Sequence, residues 1–210
     1  MATKLDIFSD PICPWCYIGK ARLEAALEAR PDHPFVIEWH PFMLNPSMPP
    51  EGMDRREYME AKFGPAEGIL KAYLPVQQAA EAAGLPFDLS KITRTPSTLD
   101  AHRLIHWAGL EGRQSAVVSA LFRGYFAEGR DIGDRAVLAD LAQAAGMERA
   151  VVARLLESDA DADDIRERDA DIRARGLHGV PGFLIGRKYL VTGAQPVETW
   201  LNILDQLAAA

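Results

Sequence analysis

The chain holds two cysteines, Cys13 and Cys16, with Pro14 and Trp15 between them. Thiols so spaced bind a metal, staple the chain, or cycle between dithiol and disulfide. A zinc site needs two further soft ligands. No second cysteine pair exists, and the nearest histidines are His33 and His40, so no metal is expected. A bridge closing so small a ring removes little chain entropy, and a reducing compartment disfavours it. Redox chemistry is the leading reading.

The surrounding pattern assigns each thiol a part. Lys4–Ser9 is apolar and aromatic and stops at Asp10-Pro11, as a strand does. A helix is predicted to begin near Cys13 or Pro14, because proline is tolerated in a first turn that has no use for its N–H. Positions i and i+3 share a helix face, with Cα atoms roughly 5–6 Å apart, which suits a disulfide. Cys13 then sits ahead of the unsatisfied N–H groups, where the helix dipole favours a thiolate. It becomes the attacking sulfur, and Cys16, one turn deeper, the resolving one. Pro14 removes one donor near the sulfur, and Trp15 offers it a large apolar face.

The elements that must hold this dithiol follow from periodicity. Trp15, Ile18, Leu23, Ala26 and Leu27 continue the helical stripe until Pro31. Phe35–Met43 reads as a second strand, parallel to the first through a right-handed crossover. Between Met53 and Arg175 the pattern is helical throughout, with helices expected at Arg55–Phe63, Ala66–Ala83, Ser97–Trp107, Arg113–Ala127, Arg135–Ala145, Glu148–Glu157 and Asp161–Arg175. Pro75 is expected to break or kink the second of these. Gly182–Gly186 and Lys188–Val191 read as a hairpin turning at Gly186-Arg187, and Val197–Leu207 as a last helix. The expected class is α/β: a βαβ…ββα thioredoxin-like domain, residues 1–52 and 176–210, interrupted by an inserted helical domain, residues 53–175.

The net charge is −7, and no basic stripe interleaves with aromatics. Nucleic acid and anionic membrane surfaces are therefore not expected partners. No apolar run approaches the roughly 20 residues that span a bilayer. The first residues lack the basic and apolar regions of a signal peptide, so a cytoplasmic protein is expected.

Cys13-Pro14-Trp15-Cys16, the helical insertion, and Gly179-Val180-Pro181 ahead of a strand resemble the DsbA family of thioredoxin-fold proteins. Phe42-x-Leu44-Asn45-Pro46-x-Met48-Pro49-Pro50-x-Gly52 and Thr98-x-x-Ala101-His102-Arg103-Leu104 are similar to its FrnE-like branch. The resemblance implies disulfide oxidoreductase or isomerase activity on a protein or small-molecule thiol or disulfide. It implies no bound cofactor, with glutathione or another thiol as redox partner. It also implies a cis Val180-Pro181 bond facing the dithiol, where the Val180 backbone would receive substrate. Gly182 is expected to leave the floor of that groove open. Related glutathione-dependent enzymes, resembling 2-hydroxychromene-2-carboxylate isomerase and kappa-class glutathione transferases, generally present serine at the position of Cys13. Cysteine at both Cys13 and Cys16 argues against that chemistry.

Two carboxylates are further candidates. Asp6, in a central strand, is costly to bury unless paired or used, and two roles stay open for it: proton acceptor to Cys16, or partner of nearby backbone. Asp10 is expected to cap the loop or helix start. His102 and His106, at i and i+4, lack a third ligand, and His102 is expected to pack between insertion and core. An acidic run, Ala160–Asp171, reads as a solvated helix face. Monomer and homodimer both stay open.

Overall fold

The computed structural model describes residues 2–209. Strand β1 (Thr3–Ser9) leads into helix α1 (Pro14–Glu28) and returns to strand β2 (Phe35–Pro41). At the far end, strands β5 (Gly182–Ile185) and β6 (Tyr189–Thr192) form a hairpin ahead of helix α9 (Val197–Ala208). The sheet order is β2-β1-β5-β6, with β1 parallel to β2 and antiparallel to β5. Both hairpin turn residues take left-handed backbone, Gly186 at φ 59° and Arg187 at φ 60°. Lys188 N closes this turn on Ile185 O at 3.0 Å, and Lys188 is left over before Tyr189 pairs with Ile185.

Alternation along β1 separates two layers. Leu5 and Ile7 face α1 and α9, and Phe183, opposite Ile7, meets the Trp200 ring edge-on at 4.8 Å. Phe8 faces the other way, onto Phe42, Leu177 and Leu184.

Between these parts lie β3 (Met53–Asp54), α2 (Arg55–Phe63), α3 (Ala66–Ala82), β4 (Arg94–Thr95), α4 (Leu99–Leu110), α5 (Gln114–Phe126), α6 (Arg135–Ala144), α7 (Arg149–Glu157) and α8 (Ala162–Ala174). The buried cluster that holds Leu5 and Ile7 continues without interruption to Leu104, Phe122, Leu138 and Leu156. Tyr17 on α1 carries it across, stacking on Phe122 and Phe126 of α5 at 5.3 and 5.7 Å. Arg103 is 1% exposed and terminates α7 by donating to the carbonyls of Leu155 and Ser158 at 2.9 and 2.7 Å. Helices α2 and α3 stand apart, burying fully only Met59, Val76 and Ala80.

Three details depart from the sequence-based expectations. The helical stretch does contain strands: β3 and β4 pair antiparallel over two residues each, too short to show a period of two. Of the two outcomes expected at Pro75, the break does not occur, since α3 continues through it. Pro75 is exposed, so water can satisfy the Lys71 carbonyl that the ring leaves without a donor. Asp169, within the acidic run, is buried rather than solvated. It accepts from Met43 N at 2.7 Å and from Arg173.

On the outer edge of β2, the Gln114 side chain pairs with the Trp39 backbone. Its Oε1 accepts from Trp39 N at 2.8 Å, and its Nε2 donates to Trp39 O at 3.0 Å.

Candidate active site

The dithiol is built by the turn between β1 and α1. Asp10 O accepts from Cys13 N at 2.9 Å, and Cys13 is the N-cap of α1, its own carbonyl receiving Cys16 N and Tyr17 N at 3.1 and 3.3 Å. Pro14 occupies the first turn. Both cysteines are free thiols, 4% and 1% exposed. Burial pushes the Cys16 thiol well above its ordinary value of 9.0, and the adjacent Cys13 sulfur adds to this. The Asp10 backbone N–H and the Ser9 hydroxyl act the other way.

Across the cleft, the Val180-Pro181 bond is cis, and the Cys13 thiol donates to Val180 O at 3.8 Å. Gly19 permits this approach: a Cβ there would lie 3.1 Å from Pro181 Cγ and 3.5 Å from the Phe183 ring. Gly19→Ala is therefore expected to displace Pro181 from the dithiol, costing about 1 kcal/mol and lowering Tm by about 3 °C. A thermal melt and a thiol-exchange rate check this. Unchanged values for both would show that the contact is slack. The opening expected beside Gly182 is absent, because Leu177 Cδ1 would stand 3.1 Å from a Cβ at that position. A neighbouring side chain has taken the space that the glycine leaves.

The cleft above the dithiol measures about 530 Å³. Its floor includes Cys13, Pro14, Trp15 and Val180, and its roof is α2 and α3. Arg55, Tyr58, Lys62, Phe63, Lys71 and Tyr73 line it, and no carboxylate does. Periodicity predicted these two helices, but it could not show that they, and not α4–α8, cover the sulfur.

The two predicted carboxylates part company. Asp10 is fully buried and accepts from Ile12 N at 3.3 Å, Leu44 N at 2.6 Å and Thr98 Oγ1 at 3.4 Å. It caps the loop and not the helix, since α1 has no side-chain cap. Burial raises its carboxyl to about 7 against those three donors. His102 Nε2 lies 3.9 Å from Asp10 Oδ1 and has no hydrogen-bond partner, and burial holds this imidazole down at about 4. Thr98 and His102 come from the segment on which the family resemblance rested, and their contact with Asp10 gives that segment a physical reason.

Asp6 lies on the face of β1 opposite Ile7, among Lys4, Glu38 and His40. His40 Nε2 is 2.7 Å from it and Lys4 Nζ 3.2 Å. The lining of the dithiol cleft does not include it. Asp6, Glu38 and His40 bring three ligand atoms within 4.8 Å of one another. Lys4 Nζ, 2.7 Å from Glu38 as well, already supplies the positive charge there. Arg168 donates to His40 Nδ1 and His106 Nδ1, both at 3.2 Å, so those histidines serve a polar network between the sheet and α8.

A free dithiol at a helix start, opposite a cis-proline on a βαβ…ββα sheet, defines a thioredoxin-fold protein of the oxidoreductase class. The chain belongs to the DSBA-like thioredoxin domain family, whose model matches residues 4–205. It is similar to a probable DsbA oxidoreductase from Streptomyces coelicolor, 34% identical, with 99% of this chain and 90% of that one covered and a TM-score of 0.86. The fold is shared with the cytosolic disulfide reductase DsbM of Pseudomonas aeruginosa, solved with glutathione (21% identity, 99% and 100% coverage, TM-score 0.70). It is shared also with a 2-hydroxychromene-2-carboxylate isomerase (18% identity, 98% and 96% coverage, TM-score 0.73).

Proposed function

We propose that the protein is a thiol–disulfide oxidoreductase working through Cys13 and Cys16. The observation that carries this reading is the Cys13 sulfur on the floor of the cleft, 3.8 Å from the Val180 carbonyl, with Cys16 buried behind it. As thiolate, Cys13 attacks one sulfur of a substrate disulfide. A Cys13–substrate S–S bond forms, the substrate S–S bond breaks, and the other sulfur leaves as a thiolate. Cys16 then loses its proton and attacks Cys13, forming the Cys13–Cys16 disulfide and releasing the second thiol. The dithiol is oxidised by two electrons and the substrate reduced by two. Two equivalents of glutathione or another thiol return the protein to its starting state.

The order of events has an electrostatic basis. Before attack, burial and the Cys13 sulfur together keep Cys16 protonated. Once Cys13 is in a mixed disulfide its charge is gone, and the Ser9 hydroxyl and Asp10 N–H remain to stabilise a Cys16 thiolate. Resolution therefore follows attack and does not compete with it.

The chemistry would take place in the cytosol, where the glutathione pool favours the dithiol and hence reduction or isomerisation. No helix among the described residues is long and apolar enough to cross a membrane. A glutathione-dependent isomerase is the weaker reading, because the protein supplies its own sulfur at Cys13. The test is equilibration with reduced and oxidised glutathione, together with insulin reduction. A pair that stays dithiol in oxidised glutathione, or insulin turnover independent of Cys13, would defeat the proposal.

A further inference from the structure

The cleft over the dithiol is positive although the protein is not. Arg55, Lys62 and Lys71 line it without a carboxylate, in a chain of net charge −7. Lys71 has an ion-pair partner in Glu67 at 3.0 Å, and Lys62 rests on the rings of Tyr58 and Phe63. Arg55 differs from both. Its guanidinium is partly buried, held by Tyr73 OH at 2.9 Å and Thr95 Oγ1 at 3.1 Å, and lies over the rings of Tyr58 and Tyr73. Its Nε is buried without a hydrogen-bond partner. Every polar partner it has is neutral, and it takes part in no ion pair among the described residues.

A fixed guanidinium in an apolar wall lacks the counter-charge that arginine usually finds, and its planar fork matches a carboxylate. The geometry points to Arg55 as the carboxylate anchor of the cleft, selecting small acidic disulfides for exchange with Cys13. This rests on the dithiol chemistry proposed above. A cleft of about 530 Å³ suits a small molecule, with its sulfur at Cys13 and a carboxylate reaching Arg55. Tyr58 and Tyr73 keep the guanidinium in place and cover its faces, so the charge is only partly hydrated and is spent on the incoming anion.

The test compares oxidation of the reduced protein by 3,3′-dithiodipropionate, bis(2-hydroxyethyl) disulfide and cystamine. Each rate is divided by that of dithiothreitol with the same disulfide, which removes the intrinsic reactivity of the reagent. Wild type is expected to favour the dianion over the neutral disulfide by about tenfold, the yield of one charge-assisted pair. Cystamine should be the slowest. Arg55→Gln should bring the anionic-to-neutral ratio close to one. Arg55→Lys, which keeps the charge and is the safer variant for folding, should give an intermediate ratio. A wild-type ratio near one, or a ratio that survives in Arg55→Gln, overturns the assignment. Failure of all three reagents to oxidise the wild type would instead remove the dithiol reading beneath it.

Discussion

Cys13→Ser is expected to abolish thiol–disulfide exchange, with insulin reduction falling by about a thousandfold or more. Cys16→Ser should instead accumulate a mixed disulfide with glutathione that persists until external thiol is added. The asymmetry follows from position. Cys13 faces the cleft and the Val180 carbonyl, whereas Cys16 is 1% exposed and is held protonated by its surroundings. Serine cannot form the first S–S bond, so nothing downstream proceeds. Loss of Cys16 leaves the first bond intact and removes only its release. Mass spectrometry after exposure to oxidised glutathione reads the adduct directly, and limited iodoacetamide should label Cys13 ahead of Cys16. Adducts of equal lifetime in wild type and Cys16→Ser would show that the second sulfur does not resolve the first.

Asp10→Asn should change how stability depends on pH. In the folded protein the Asp10 carboxyl is raised from 3.8 to about 7. Its favourable contribution is therefore complete below 3.8 and is lost as pH rises through about 7. His102 runs the other way. It is lowered from 6.5 to about 4, so its contribution is complete above 6.5 and is lost as pH falls through about 4. Between about pH 4 and 6.5 the two slopes oppose each other in wild type. Asparagine removes only the first of them. At acid pH the variant should be less stable by about 1–3 kcal/mol, because one amide oxygen cannot serve both the Ile12 and Leu44 N–H groups. The wild type loses up to about 4 kcal/mol of this contribution as pH rises to about 7, so the deficit should close and then reverse in favour of the variant. Urea unfolding of both proteins from pH 4.5 to 7.5 measures it, and parallel stability curves would contradict the burial argument.

Much of this site was legible in the chain, for reasons that are local. A dithiol after a strand and before a helix is set by neighbours in sequence, and so are the hairpin at Gly186-Arg187 and the helix starting at Pro14. Asp10 was legible as a loop cap for the same reason, since one of its bonds goes to Ile12, two residues away. Its other partners, Leu44 and Thr98, lie 34 and 88 positions further along, beyond any periodicity. Arg55 left no signal either. Next to Arg56 on a polar helix it reads as surface, and only the packing of Tyr58, Tyr73 and Thr95 around it removes it from water. Gly182 misled because a glycine announces missing volume without saying what fills it, and Leu177 does so from outside the strand.

Gln114 has a further consequence for how copies of this protein meet. Along β2 the residues whose backbone groups point away from β1 alternate. With Trp39 among them, the set is Phe35, Ile37, Trp39 and Pro41. Phe35 N donates to His33 Nδ1 at 3.2 Å, Trp39 N is taken by Gln114, and Pro41 has no N–H to give. Ile37 is the one donor left on that side. A foreign strand seeking a ladder finds a single N–H donor there, so edge-to-edge pairing of copies in concentrated solution is weakened at β2.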